Sequence, residues 1–180
     1  MINIVASRYA EALFQVGEET DSTDKLYGEL KAVVDIVKEN KDFSNILRSP
    51  LVSKEEKKDL ITKVFEGKLS QNMINFLKIL ADKDRLALLA DIEKDFKVLL
   101  NEKNNILEGI VITAVPMKEE EVKELQTKLS AKYNKTVVLE NEVDKSVVGG
   151  VLVRLGNEEI DGTVKNRLDK MKEQLSQVIS

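Results

Sequence analysis

Paired glycines near the C-terminus are the residues whose type and spacing most invite a chemical interpretation. The segment SVVGGVLVRLGNEEIDGTVKNRL, residues 146–168, holds Gly149 and Gly150 in an apolar run and an Asp161-Gly162 step before a helix-like tail. Glycine loops bind phosphate where they join a strand to a helix N-terminus. Neither common phosphate-loop pattern occurs here, and an apolar, strand-like run directly follows the glycine pair. The sequence therefore favours glycines within a strand, which would permit a bulge or close backbone packing.

Charged clusters are the other candidates for chemistry. A glutamate trio at residues 119–121 and a glutamate pair at 158–159 could serve as metal or acid/base carboxylates. The trio falls in the expected first turn of a helix, where negative charge suits the helix dipole, and adjacent helical residues cannot all face one site. Lys57 and Lys58 could contact phosphate, but they fit a solvated face of mixed charge better. We therefore expect no catalytic residue, no cofactor site and no metal site.

The composition excludes several functional classes. Cysteine and histidine are both absent, which removes thiolate nucleophiles, disulfides, thiolate zinc sites and an imidazole base. The 28 basic and 32 acidic residues give a net charge of −4, and aromatic residues make up 4% of the chain. Nucleic-acid binding is therefore disfavoured, because it needs a concentrated basic face and stacking rings. No apolar run is long enough for a membrane span and no signal peptide is apparent, so a soluble, intracellular chain is expected.

Helical periodicity dominates the sequence as far as about residue 107. Pro50 interrupts this series, and Ser53 followed by Glu56 fits a capping box that should begin a new helix. The last helix of the series, which begins near Asp84, is expected to be the longest. We therefore predict an all-helical N-terminal half.

Short β-branched runs and turns replace this pattern in the second half. Their order is the strand ILEGIVITAV, a charged helix opened by Pro116, the strand TVVLE, the strand VVGGVLVRLG, a turn at Gly156-Asn157, the short EEI and a last helix. The chain is thus predicted to be α+β overall, with an all-α N-terminal bundle over residues 1–105 and a small α/β domain over residues 106–180. One face of the last helix carries Val164, Leu168, Met171, Leu175 and Val178.

The first and fifth helices have unusually wide apolar arcs. The first, INIVASRYAEALFQVGEE, covers about 200°, whereas the stripe of an ordinary surface helix covers about 100°. The fifth, LSQNMINFLKILADK, leaves only a narrow polar row. Either both helices are covered on two sides by neighbours, or part of each arc remains open as a groove for a partner helix. The pattern alone favours complete burial.

Three segments resemble the delta subunit of F-type ATP synthases, called the oligomycin-sensitivity-conferring protein in mitochondria. They are ASRYAEALF from Ala6 to Phe14, FLKILADKDRLALLADI from Phe76 to Ile92, and VVLENEVDKSVVGGVLVRLGNEEIDGTVKNRLDKM near the C-terminus. The last is the most specific, because it follows the family pattern Asp-x-Ser-x-x-Gly-Gly, a strand ending in a basic residue, then Asp-Gly-Ser and a helix. Thr163 replaces the commoner Ser, and either residue can cap a helix. The matching positions are Gly149, Gly150, Arg154, Asp161, Gly162, Thr163 and Arg167.

The resemblance implies a non-catalytic stator subunit that joins the catalytic α3β3 head to the peripheral stalk. In this family a six-helix N-terminal bundle receives N-terminal helices of α subunits, and the C-terminal domain meets the C-terminal end of the b subunits. The β subunit is a further candidate partner. The resemblance therefore favours an open groove between the first and fifth helices. The core or groove residues expected there are Tyr9, Ala10, Leu13, Phe14, Met73, Phe76, Leu77 and Leu80.

A bacterial member of this family would lie on the cytoplasmic face of the plasma membrane, held there by its partners. Nucleic acid would not be a partner, and the membrane would be contacted only through the complex. Two other functions are weighed against this one: a helical bundle that binds RNA or acts as a transcription factor, and a small enzyme that binds a phosphate ligand through the glycine segment. Neither has a basic face or a phosphate-loop pattern to support it.

Overall fold

The chain forms two compact units, Met1–Leu100 and Asn101–Ser180. The computed structural model describes residues 4–49, 51–156 and 158–179, with side chains described as far as residue 172. The predicted break at Pro50 and the turn residue Asn157 lie outside the described residues, and the side chains of Leu175 and Val178 lie outside the described side chains. Helices and a sheet both occur, so the α+β class is confirmed.

The first unit is helical throughout its described part, and no described residue before Ile106 lies in a strand. The capping box is confirmed: the amide of Glu56 donates to Ser53 Oγ at 3.3 Å, and the amide of Ser53 donates to Glu56 Oε2 at 2.9 Å. The helices are α1 (Ile4–Glu19), α2 (Thr23–Glu39), α3 (Lys41–Arg48), α4 (Lys54–Phe65), α5 (Gln71–Asp82) and α6 (Leu89–Lys103), with a 3₁₀ turn at Leu86–Leu88 before α6.

The expectation that α6 is the longest helix is wrong. It has 15 residues, whereas α2 has 17. The 3₁₀ turn at Leu86–Leu88 separates the beginning of the predicted helix from α6, and Asp84 before it adopts a left-handed conformation with φ of 53°. Apolar spacing continues through both pieces, so periodicity alone did not reveal the interruption.

An aromatic cluster occupies the core of the first unit. Phe96 of α6 is fully buried; the ring of Tyr27 stacks on it at 6.2 Å between centroids, and the ring of Phe14 meets it edge-on at 5.6 Å. The Tyr27 hydroxyl donates to Glu93 Oε1 at 3.1 Å, which satisfies its polar end. This cluster ties α1, α2 and α6 together.

Lysines of α4 hold the C-terminal end of α5. Lys58 Nζ lies 2.5 Å from Asp82 Oδ1, and Lys54 Nζ donates to the carbonyl of Asp82 at 2.7 Å. Lys57 is buried, with Nζ 3.7 Å from Asp84 Oδ1. Cations at a helix C-terminus offset the partial negative charge of its free carbonyls. These contacts therefore fix the end of α5 on α4.

The second unit contains a sheet of four strands in the order β2-β1-β3-β4. Strands β1 and β2 are parallel, while β3 pairs antiparallel with both β1 and β4. Helix α7 connects the two parallel strands and packs on one sheet face, where Leu129, Val111 and Val153 are buried. The elements are β1 (Ile106–Thr113), α7 (Glu119–Tyr133), β2 (Thr136–Val143), β3 (Val151–Leu155), β4 (Glu158–Asp161) and α8 (Val164–Ile179).

Two local predictions for this unit are wrong. Helix α7 begins at Glu119 instead of Pro116, because the amide of Met117 is held by Asn141 Oδ1 at 2.9 Å before the helix starts. Gly149 and Gly150 precede β3 instead of lying within it. Their role therefore lies in the approach to the strand.

The buried Lys57 predicts unequal effects of removing the two members of its ion pair. Asp84→Asn keeps a residue that tolerates φ above zero. It leaves the Lys57 charge without its carboxylate and also breaks the exposed pair of Asp84 with Lys54 at 3.2 Å, which contributes little, so we expect a loss of about 1–2 kcal/mol of unfolding free energy. Lys57→Met removes the buried charge itself and should stay within about 1 kcal/mol of the unmodified chain. Urea unfolding monitored by circular dichroism measures the unfolding free energy of both variants. A larger loss for Lys57→Met would contradict this account.

Candidate functional site

An apolar groove runs between α1 and α5 of the first unit. Its volume is about 230 Å³, and none of the described residues that line it is charged. The lining residues are Ala12, Leu13, Val16, Asn72, Asn75, Phe76 and Ile79, which we call the α1/α5 groove.

The floor and the walls of the α1/α5 groove differ in exposure. Leu13 and Phe76 form the floor and are 2% and 8% exposed, whereas Val16 and Ile79 on the walls are 37% and 51% exposed. The ring of Tyr9 meets that of Phe76 edge-on at 6.4 Å between centroids and supports the floor from inside the unit. A rigid floor between two exposed aliphatic walls suits an apolar side chain entering from a partner.

Most of the predicted groove residues are core residues in the structure. Only Leu13 and Phe76 line the groove, while Tyr9 and Phe14 are partly buried against the core. The remaining four are buried: Ala10, Met73, Leu77 and Leu80.

The groove walls were missed from sequence. Ala12 and Ile79 lie at the margins of the wide apolar arcs, Ile79 between Asn72 and Asn75 on α5, whereas Val16 lies inside the α1 arc. For Ala12 and Ile79 the signal was this marginal position, because residues at the edge of an apolar arc are the last to be covered by neighbouring helices. Nothing in the pattern distinguished Val16.

The second candidate site is the C-terminal motif, where two glycine segments meet backbone to backbone. The amide of Gly162 donates to the carbonyl of Val151 at 2.9 Å, and the amide of Val164 donates to that of Gly149 at 3.0 Å. At Gly150, φ is 83°, and an added Cβ would lie 2.5 Å from the carbonyl oxygen of Gly162. We call this meeting of residues 149–151 with residues 162–164 the glycine joint.

Side chains of the same motif fix the start of α8. Asp161 Oδ1 accepts from the amide of Thr163 at 2.9 Å, and Thr163 Oγ1 accepts from the amide of Asn166 at 3.3 Å. Hydrogen bonds from the Thr163 hydroxyl and amide hold the pKa of Asp161 below its ordinary value. Asn166 Nδ2 also donates to the carbonyl of Asp161 at 2.8 Å. The motif therefore sets the direction in which α8 leaves the sheet.

The two arginines of the motif lie apart from the glycine joint. Arg154 Nε donates to Glu159 Oε2 at 2.8 Å across the β3 and β4 pair, and the side chain is exposed. Arg167 is exposed on the first turns of α8. The motif thus contains a structural joint and two separate surface cations.

Two further observations concern the described residues only. No three acidic side chains there gather closely enough to hold a metal ion. No helix in the same part of the chain has the length and apolar content needed to cross a bilayer.

Comparisons with known proteins give a consistent result. Residues 5–175 match the model of the ATP synthase delta (OSCP) subunit family. An ATP synthase subunit delta of Clostridioides difficile (strain 630) is 61% identical over 100% of both chains, and one of Alkaliphilus metalliredigens (strain QYMF) is 41% identical over 99% of both. A chain in the cryo-EM structure of the Toxoplasma gondii mitochondrial ATP synthase hexamer is 25% identical, with a TM-score of 0.72 over 94% of this chain and 96% of that one.

The glycine joint predicts a large effect at Gly150 and a small one at a matched glycine. Gly150→Ala would add a left-handed backbone penalty to a clash with the carbonyl of Gly162, so we expect a loss of at least about 2 kcal/mol. Gly156 also has a positive φ, of 56°, but an added Cβ there meets no atom closer than 3.9 Å. Gly156→Ala should therefore lose only about 1 kcal/mol. Urea unfolding of both variants tests the difference, and equal losses would show that the close approach does not matter.

Proposed function

Because the chain belongs to the ATP synthase delta (OSCP) subunit family, we propose that its first unit receives the N-terminal helix of an α subunit and its second unit the C-terminal end of the b subunits. Family membership makes the chain a non-catalytic subunit of an F-type ATP synthase, a membrane-associated complex, with the stator role of linking the catalytic head to the peripheral stalk. The RNA-binding and phosphate-enzyme alternatives are set aside on the same ground.

The α1/α5 groove is the observation that carries the first part of the proposal. An uncharged groove with a buried floor and exposed aliphatic walls offers an amphipathic helix apolar contact without the desolvation of charge. Residues 1–105 would act as the six-helix bundle of the family, with the β subunit as a further contact.

An apolar stripe on α8 supports the second part. Val164, Leu168 and Met171 recur at helical spacing and are 44%, 60% and 59% exposed. We call these three residues the α8 stripe. Its orientation is fixed by the glycine joint, so an apolar partner would meet a surface held by the sheet. Residues 106–180 would thereby hold the b subunits.

A stator joint has to resist torque and need not perform chemistry. Rotation within the complex loads the link between head and stalk, so the contacts must bury enough apolar area to remain closed. The proposed location is the cytoplasmic face of the bacterial plasma membrane, where the complex would hold this subunit through its partners.

A charge in the α1/α5 groove should weaken binding of a peptide from the N-terminus of an α subunit. Ile79→Glu would place a carboxylate against the apolar face of the peptide, so we expect Kd to rise at least about tenfold, or about 1.4 kcal/mol. Isothermal titration calorimetry with the full chain and a peptide from the α subunit of the same organism measures this.

Val98→Glu is the matched control for that experiment. Val98 is 55% exposed on α6 and does not line the groove, so its substitution should leave Kd within about twofold. Absence of peptide binding to the unmodified chain would contradict the α subunit assignment. Equal weakening by both substitutions would contradict the groove as its location.

The α8 stripe predicts a separate effect on the b subunits. Leu168→Glu should raise Kd for a fragment from the C-terminal end of a b subunit at least about tenfold while leaving α peptide binding unchanged. Val115 is 69% exposed in the same unit but lies outside the stripe, so Val115→Glu is the control. Surface-plasmon resonance with the immobilised b fragment gives both constants. Unchanged binding by Leu168→Glu would locate the b contact elsewhere.

A further inference from the structure

A second cleft of the first unit lies between α2, α3 and the beginning of α6. Its volume is about 320 Å³, larger than that of the α1/α5 groove, and it shares no lining residue with that groove. Its lining residues are Val34, Val37, Lys38, Lys41, Ser44, Asn45, Arg48, Leu86, Ala87, Leu89 and Ala90. We call it the basic cleft.

The floor of the basic cleft is apolar and its rim is cationic. The floor contains the buried residues Val34, Leu86 and Leu89. The rim includes the exposed residues Lys38 and Arg48. None of the described residues that line the cleft is a carboxylate, although the chain as a whole has more acidic than basic residues. The charged residues on the described lining of the cleft are therefore all cationic, whereas Glu39 and Asp42, which neighbour Lys38 and Lys41 in sequence, do not line it.

Among the described residues, the rim cations have no acidic partner of their own. Lys38, Lys41 and Arg48 form no ion pair with any carboxylate in the described part of the chain. Lys38 and Arg48 lie in the last turns of α2 and α3, where a cation suits the helix dipole. Lys41, however, is the first residue of α3, where the dipole disfavours positive charge. The helix dipole therefore explains the positions of Lys38 and Arg48 but not that of Lys41.

We propose that the basic cleft is a second docking site, for an acidic amphipathic polypeptide segment of another subunit of the synthase. The rim cations would pair with two or more carboxylates of the segment, and an apolar side chain between them would enter the cleft. A small anion would satisfy the rim but leave the apolar floor exposed, whereas an amphipathic segment covers both. A polypeptide occupant also agrees with the role of the chain in a multisubunit complex.

The rim and the floor together give this site a different specificity from the α1/α5 groove. The described lining of that groove is uncharged, so it would not distinguish an acidic segment from a basic one. The basic cleft would reject basic segments and favour acidic ones, because like charges brought together at an interface are costly. The first unit would then hold two different segments at two surfaces.

A charge-swap experiment on the full chain tests this inference. The probe is a fluorescein-labelled peptide of about 15 residues, with Leu at positions i, i+3, i+4 and i+7 and Glu between them; a second probe replaces every Glu by Lys. Fluorescence anisotropy should give a micromolar Kd for the Glu probe. The triple variant K38E/K41E/R48E should weaken it at least about tenfold and gain affinity for the Lys probe.

K25E/K31E/K63E is the matched control, because it changes the net charge equally at three exposed lysines of the same unit that do not line the cleft. It should leave binding of the Glu probe within about twofold. Ile79→Glu, which disrupts the α1/α5 groove, should also leave it unchanged, so failure of the α subunit assignment is distinguishable from failure here.

Three outcomes would overturn the inference. Equal weakening by both triple variants would show attraction to overall charge only. Absence of binding by the Glu probe at about 50 mM salt, where screening is weak, would show that the cleft does not bind acidic segments. Displacement of the probe by inorganic phosphate at equal ionic strength, with no displacement by chloride, would identify a small-anion site in its place.

Discussion

A helix whose apolar arc is wider than its contact with the core must leave part of that arc to solvent or to a partner, and the first unit is organised around this constraint. Small residues on the inner face of α1, Ala6 and Ala10, are fully buried and bring the helix close to its neighbours. The larger Val16 then falls at the margin of the contact. On α5 the same geometry buries Leu77 and leaves Ile79 outside. The groove follows from two helices that are each too apolar for the cover available.

In the second unit the corresponding constraint is to fix the start of the terminal helix α8, on which the described apolar residues Val164, Leu168 and Met171 are exposed. This start is fixed by backbone contact: the amides of Gly162 and Val164 donate to the carbonyls of Val151 and Gly149, at a close approach that no side chain at Gly150 would permit. Backbone hydrogen bonds accept only a narrow range of lengths and angles, so two of them constrain the relative position of the segments that they join. The exposed α8 stripe is thereby held by the sheet, which would suit the proposed contact with the b subunits.

Sequence patterns anticipated the elements better than the surfaces. The Ser53 capping box and the helical first half follow from local chemistry, which one segment contains in full. Periodicity gave the width of the α1 and α5 arcs but could not say which side the neighbours would cover, because that depends on residues distant in sequence. The same limit applies to Gly150: its context predicted close packing, yet its contact with Gly162 appears only when the two segments meet. The basic cleft could not be predicted from the sequence for the same reason, since Lys38 and Arg48 belong to different helices.

The two proposed docking surfaces of the first unit would also separate partners by chemistry. On a chain of net charge −4, acidic segments are repelled on average, and screening confines attraction to cations within about 8–10 Å at physiological salt. An acidic segment would therefore be held only where cations cluster, as at the basic cleft, while an uncharged groove discriminates chiefly by shape and apolar area. Two segments held on one unit would raise each other's effective concentration when they belong to the same assembly. A joint built in this way resists load by several moderate contacts, so that the loss of one need not release the whole.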